Sequence, residues 1–203
     1  MSLSEQDRDR IAQAIRAAEA KTSGEIVCVL ARMSADATAL PVFLAAVAAL
    51  ALPWGLIALT ALPVQRILVL QVALFVALVL LLCIPRVRVA LMPRRARRAV
   101  AHRVATEQFM IRGIARKKDR SGIMIFVSLA EHYVRIIADD GIAAKVPQAE
   151  WQGAVDTLVA HLREGRVGDG FLAAIDACGA KLAEHFPRTA TSRDELPDRI
   201  YLI

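Results

Sequence analysis

Two stretches of this chain carry no charge, and the rest of the sequence is arranged around them. Residues 40–62, LPVFLAAVAALALPWGLIALTAL, and residues 67–84, ILVLQVALFVALVLLLCI, are apolar all round, with Gln71 the one strongly polar interruption. A buried helix of that length in a soluble protein keeps a polar face, so the pattern predicts two membrane-crossing helices. At about 1.5 Å per residue the first suffices for about 30 Å of hydrocarbon, and the second is close to the minimum. Pro53-Trp54-Gly55 predicts a kink in the first. The short PVQR at 63–66 closes the pair into a helical hairpin.

Outside the hairpin the periodicity changes. SEQDRDRIAQAIRAAEA places Ile11, Ala14, Ile15 and Ala18 on one helical stripe, with Ser2 and Glu5 fitting a capping box ahead of it. After KTSG, the run EIVCVL (25–30) suits a strand buried on both faces. Beyond the hairpin, RRAVAHRVATEQFMIRGI is helical and KKDRSG is a turn. Residues 123–129 and 133–138 then read as a β-hairpin with AEH as its connection. QAEWQGAVDTLVAHLREG places Trp151, Val155, Leu158, Val159 and Leu162 on one stripe and Gly165 at its end. A last helix, GDGFLAAIDACGAKLAEHF, turns Leu172, Ile175, Gly179 and Leu182 inward and stops at Pro187.

A single helix and strand cannot fold alone, so the N-terminal piece needs the strands beyond the hairpin as partners. Residues 1–36 and 99–187 are therefore expected to form one discontinuous α/β domain. The hairpin occupies 37–85, a basic juxtamembrane segment 86–98, and a tail 188–203 that is either disordered or a short edge strand. An insertion that returns the chain to the same side must cross an even number of times, and two spans do so.

Charge sharpens this picture. The chain of 203 residues has a net charge of +6, yet residues 86–120 alone hold twelve Lys/Arg against two acids. The remainder is left with fourteen bases and eighteen acids. A local basic patch abutting an apolar span is a membrane-flank pattern more than a nucleic-acid groove, so no nucleic-acid partner is expected. Lys21, Arg32, Arg86, Arg88, Arg94, Arg95, Arg97, Arg98 and Arg103 flank the outer ends of the spans, while only Arg66 lies in the turn. Both termini are accordingly expected in the cytoplasm of a cell with an inner membrane, with the turn outside. Arg86, Arg88, Arg94, Arg95, Arg97 and Arg98 are the expected contacts to anionic lipid, each contributing about 1 kcal/mol near such a surface. The N-terminal MSLSEQDRDR has no apolar run, so no cleavable signal is expected. Cys28, Cys83 and Cys178 are too few and too scattered for a disulfide framework or a zinc site.

The order of helix, TSGEIV, then RSGIMIFVSLAEHYVRIIADDGI, a helix, GRVGDGF and a last helix resembles the TPM domain family, in the branch where a transmembrane hairpin interrupts the domain after its first strand. The resemblance implies a Rossmann-like α/β/α sandwich with a mixed sheet. It also implies acid phosphatase activity and calcium binding, as in some members, or an accessory role in membrane-complex assembly, as in others. Where members have a glycine-rich end to the hairpin strand, this chain has Ala138-Asp139-Asp140-Gly141.

Asp139 and Asp140 are the best candidates for chemistry, since adjacent carboxylates at a strand end suit a hard cation such as calcium. The plainer reading is a solvated turn, because Asp and Gly favour turns for backbone reasons. Asp169 in GDG is a helix cap or a further cation ligand. Glu131 and His132 have acid/base groups but read as an exposed turn pair. His102, His161 and His185 lack ligand spacing, and Trp151 reads as core. No nucleophile elbow, P-loop or dinucleotide fingerprint appears, so no catalytic residue is assigned and calcium is the one cofactor left open. Two functions compete. One is a membrane-anchored cytoplasmic module that works by binding, as accessory to an unidentified membrane protein partner. The other is a metal-dependent phosphomonoesterase using Asp139 and Asp140, with Asp169 as an optional further ligand.

Overall fold

The computed structural model describes residues 3–34, 39–84, 87, 92–114, 121–188 and 196–203. Among them are seven α-helices: α1 (Glu5–Glu19), α2 (Ala39–Leu59), α3 (Val64–Cys83), α4 (Arg94–Ile111), α5 (Asp140–Ala143), α6 (Gln152–Arg163) and α7 (Val167–His185). Four strands, β1 (Glu25–Ala31), β2 (Gly122–Ser128), β3 (Tyr133–Ala138) and β4 (Ile200–Leu202), make one sheet in the order β3-β2-β1-β4. The chain divides into two compact units, Met1–Ser34 with Val100–Ile203, and Ala35–Ala99.

The first unit is an α/β fold on a mixed sheet. β1 runs parallel to β2 and to β4, and β2 pairs antiparallel with β3. Every residue of β1 and β2 is buried because helices cover both faces. Ile26, Cys28 and Leu30 face a core shared with Ile11 and Ile15 of α1, Leu158 of α6 and Phe171 of α7. The alternate residues Val27, Val29 and Ala31 face Ala105 and Phe109 of α4. The β-branched run thus forms a central strand, as its lack of polar alternation predicts. The tail supplies β4, and Arg112 stacks over Tyr201 of that strand with its guanidinium carbon 3.9 Å from the ring centre.

Several local details depart from expectation. α1 is capped by Ser4, whose Oγ accepts from the Asp7 backbone N–H at 3.0 Å; Ser2 lies outside the described residues. Ser4 and Asp7 have the same spacing as a capping box, with Ser4 as the cap and Glu5 the first helical residue. The segment read as one helix from 148 begins instead with a 3-10 turn, Gln148–Trp151, that precedes α6. Gln148 Nε2 donates to the Ile136 carbonyl at 3.0 Å, which ties that turn to β3. Gly165, with φ of 80°, follows the C-terminal cap of α6 as expected.

The second unit is a helical pair. α2 continues through Pro53 to Leu59, and α3 starts three residues earlier than its apolar run, with Pro63 as its N-cap. Ala45, Ala49 and Ile67 are buried within the unit, and the two alanines are spaced to let a neighbouring helix approach closely. The outward faces are apolar and bare: Trp54 is 79% and Leu59 85% exposed. Windows 42–59 and 64–83 have mean hydropathies of 2.4 and 2.7, with only 11% of each buried. Both helices are long and apolar enough to cross a membrane.

Candidate functional site

In open α/β sheets, ligands settle beyond the carboxyl ends of the parallel strands. Here β1 ends at Ala31 and β2 at Ser128, side by side, and the chain must cap that edge. It does so with a buried polar network. Ser34 Oγ donates to Ser128 Oγ at 2.9 Å, Ser128 Oγ donates to a Glu131 carboxylate oxygen, and the Ser34 backbone N–H donates to that same oxygen at 3.0 Å. Leu129 N–H and Ala130 N–H reach back to the carbonyls of Ala31 and Arg32 at 3.0 and 3.2 Å. The expectation of an exposed Glu131–His132 pair is therefore corrected. Glu131 is 4% exposed because its carboxylate ties the two strand ends together, and only His132 faces water. His132 adopts φ of 51°, a left-handed conformation unusual outside glycine.

A cleft of about 910 Å³ opens on this edge, between the β2–β3 turn and the last turns of α6. Its cationic lining is Arg32, His132 and Arg163; its apolar wall is Leu129, Val134, Val159 and Leu162. Ser128 and Tyr133 complete the polar part. Among the described residues no Asp or Glu lines the cleft, because Glu131 is turned into the network. No contiguous motif announces this site, since its residues come from three separate stretches of chain. Arg32 reads as a span flank, Arg163 carries no assignment from the sequence, and only SLAEHYV stood out there.

The sequence candidates lie elsewhere. Asp139 follows β3, and its N–H donates to the carbonyl of Gly122 at the start of β2, which is the opposite edge of the sheet. Its side chain accepts from the Asp140 N–H at 2.7 Å and caps the four-residue α5. Asp169 lies in the first turn of α7, where Arg166 rather than Asp169 holds the cap position. It pairs with Arg10 at 3.1 Å and Arg166 at 3.8 Å. The far end of α7 meets the start of β1, through Ser23 N–H to the Phe186 carbonyl at 3.0 Å. A helix of 19 residues is about 28 Å long, so Asp169 and the Asp139–Asp140 pair sit at opposite edges. Calcium takes six to eight oxygens, roughly, and no three His, Cys, Asp or Glu side chains converge among the described residues. Among the described residues, then, no calcium cage is assembled.

His102 Nδ1 lies 3.4 Å from both the Tyr133 hydroxyl and an Arg135 guanidinium nitrogen, on the surface, and His161 Nδ1 lies 2.9 Å from the Thr157 carbonyl of its own helix. Trp151 is core. The three cysteines are unpaired with one another; burial drives the Cys28 thiol pKa far upward and that of Cys178 to about 12. Arg94, Arg95 and Arg98 are exposed and Arg97 half-buried on α4, while Arg86 and Arg88 lie outside the described residues.

Fold and cleft together define an α/β protein on a mixed four-stranded sheet with its ligand-sized opening at the carboxyl edge. Residues 85–181, just under half the chain, match the TPM domain. The chain is also similar in structure to the BA42 protein of the psychrophilic bacterium Bizionia argentinensis, with a TM-score of 0.62 over 100% of this chain and 96% of that one, at 19% identity. At that identity the likeness is one of fold. No curated protein matches the chain. α1 and β1 precede the matched stretch yet belong to the same compact unit.

Proposed function

We propose that this protein is an integral membrane protein whose Rossmann-like α/β unit faces the cytoplasm and works by binding, as an accessory of a membrane assembly. The observation that carries this reading is a pair of long apolar helices with bare outward faces in a chain that also forms a separate compact α/β unit. An apolar surface of that extent is covered by lipid or by protein in a working cell. The arginines of residues 86–98 hold the hairpin against an anionic inner leaflet, and nine flanking cations against one in the turn set its direction. Reporter fusions test it. Reporters at residue 1, at residue 203 and in the turn at 60–63 should give cytoplasmic, cytoplasmic and external signals; opposite compartments for the two termini sink the reading. A pull-down from detergent-solubilised membranes is expected to recover a membrane protein partner.

The competing function, a calcium-dependent phosphomonoesterase, would use Asp139 and Asp140, with Asp169 as an optional third carboxylate. Against it, Asp139 is engaged in capping α5 and Asp169 is paired with Arg10 and Arg166. A chromogenic phosphate ester should show no turnover by the purified chain, with or without calcium. Turnover that Asp139→Asn abolishes would restore the enzyme.

A further inference from the structure

We propose that the cleft at the carboxyl edge of β1 and β2 binds an amphipathic anion: an alkyl chain ending in an oxyanion, taken up by Arg32 and Arg163 at the head and by Leu129, Val134, Val159 and Leu162 along the chain. Three features of the cleft lead there. Its size, about 910 Å³, is near the top of the range for small-ligand sites, roughly 300–1,000 Å³. Its charge has one sign: two guanidinium groups line it, no carboxylate does among the described residues, and neither arginine is ion-paired with a described carboxylate. Guanidinium is the group that recognises an oxyanion through paired hydrogen bonds.

The third feature is the apolar wall. A bare inorganic anion has no use for four aliphatic side chains, and a wholly apolar ligand has none for two arginines that lack an acidic partner among the described residues. A ligand with both parts satisfies the whole lining. The buried Glu131 contributes by absence: with its carboxylate consumed by Ser128 and Ser34, the edge holds its strands together without presenting a negative charge to the ligand. Ligand of this chemistry has two sources, a free acyl anion in solution and an anionic lipid of the bilayer.

The inference rests on the reading of the unit as a binding module but not on topology, so the reporter fusions and the following measurement fail independently. The full chain is placed in phosphatidylcholine nanodiscs and observed by methyl NMR at Leu129, Val134, Val159 and Leu162. Decanoate, decanol and acetate are titrated separately, and a parallel set of discs is doped with phosphatidylglycerol. Decanoate should shift these methyls, with decanol and acetate at least roughly tenfold weaker. Arg32→Gln and Arg163→Gln, both at exposed positions, should each weaken decanoate roughly tenfold while leaving the unliganded spectrum intact. Shifts on doping alone assign the bilayer as source, shifts with decanoate alone assign solution, and either supports the proposal. Decanol binding as tightly as decanoate, indifference to both arginine substitutions, or silence from every arm overturns it.

Discussion

His132 holds φ at 51° in the turn that joins β2 to β3, with its N–H donating to the Leu129 carbonyl at 3.3 Å. The left-handed region costs a non-glycine residue about 1–2 kcal/mol, which the surrounding turn must impose. Replacing His132 with Gly is therefore expected to raise stability by about 1 kcal/mol, read as the urea midpoint at unchanged slope. A loss of stability would mean that the imidazole itself holds the turn. At the other end of the unit, Ser4 caps α1, and its hydrogen bonds to Asp7, with Arg10 beside them, hold the Asp7 carboxyl below the usual range. A depressed carboxyl adds stability that is complete above its unfolded value and disappears as pH falls through the folded one. Ser4→Ala should cost about 1 kcal/mol near neutrality, and the difference from wild type should shrink in acid below the ordinary carboxylate range. Cys28 and Cys178 are buried with raised pKa values, so a maleimide should label them only after unfolding.

Close helix approach is the controlling feature at the scale of elements. α1 and α7 cross where Gly179 meets Ala18, and a Cβ built on Gly179 would lie 2.8 Å from the Ala18 Cβ. Two helix backbones are that near only because both residues are small, and neither side has a flexible chain that can move aside. Gly179→Ala should cost about 1–3 kcal/mol by overpacking, against the usual gain from Ala in a helix. A rise in thermal midpoint would show that the crossing can open without loss. The sequence made much of this layer legible. Ile11, Ile15, Leu158, Ile175 and Leu182 are all buried where the 3.6-residue period puts them. The period cannot register a contact made by an absent side chain, so Gly179 read as merely inward-facing. It was equally blind to the 3-10 turn at Gln148–Trp151, which is set by a hydrogen bond to Ile136 on another element. The cleft was hidden for the same reason: Arg32, His132 and Arg163 are distant in sequence and meet only because β1, β2 and α6 end at one edge.

At the scale of the whole molecule, the decisive fact is that β1 lies between β2 and β4. All seven of its residues are buried, and it pairs with β2 over its full length, from Glu25 opposite Gly122 to Ala31 opposite Ser128. A fragment beginning at residue 100 would keep the later strands and helices but lack the central strand. β2 would then expose an edge, β4 would have nothing to pair with, and the aliphatic faces of both core clusters would be open to water. The two halves are therefore one folding unit despite the 65 residues that form the second unit between them. Replacing residues 35–99 with a flexible Gly/Ser linker should give a soluble protein that unfolds in one cooperative transition, because both core clusters, as far as the described residues go, are built from residues outside 35–99. The fragment 100–203 should instead aggregate or stay unfolded, and adding residues 1–34 as a separate peptide should recover helical and strand signal by circular dichroism. If fragment 100–203 folded cooperatively alone, the N-terminal helix and strand would be an attachment to a finished domain, and the hairpin would no longer count as an insertion within it.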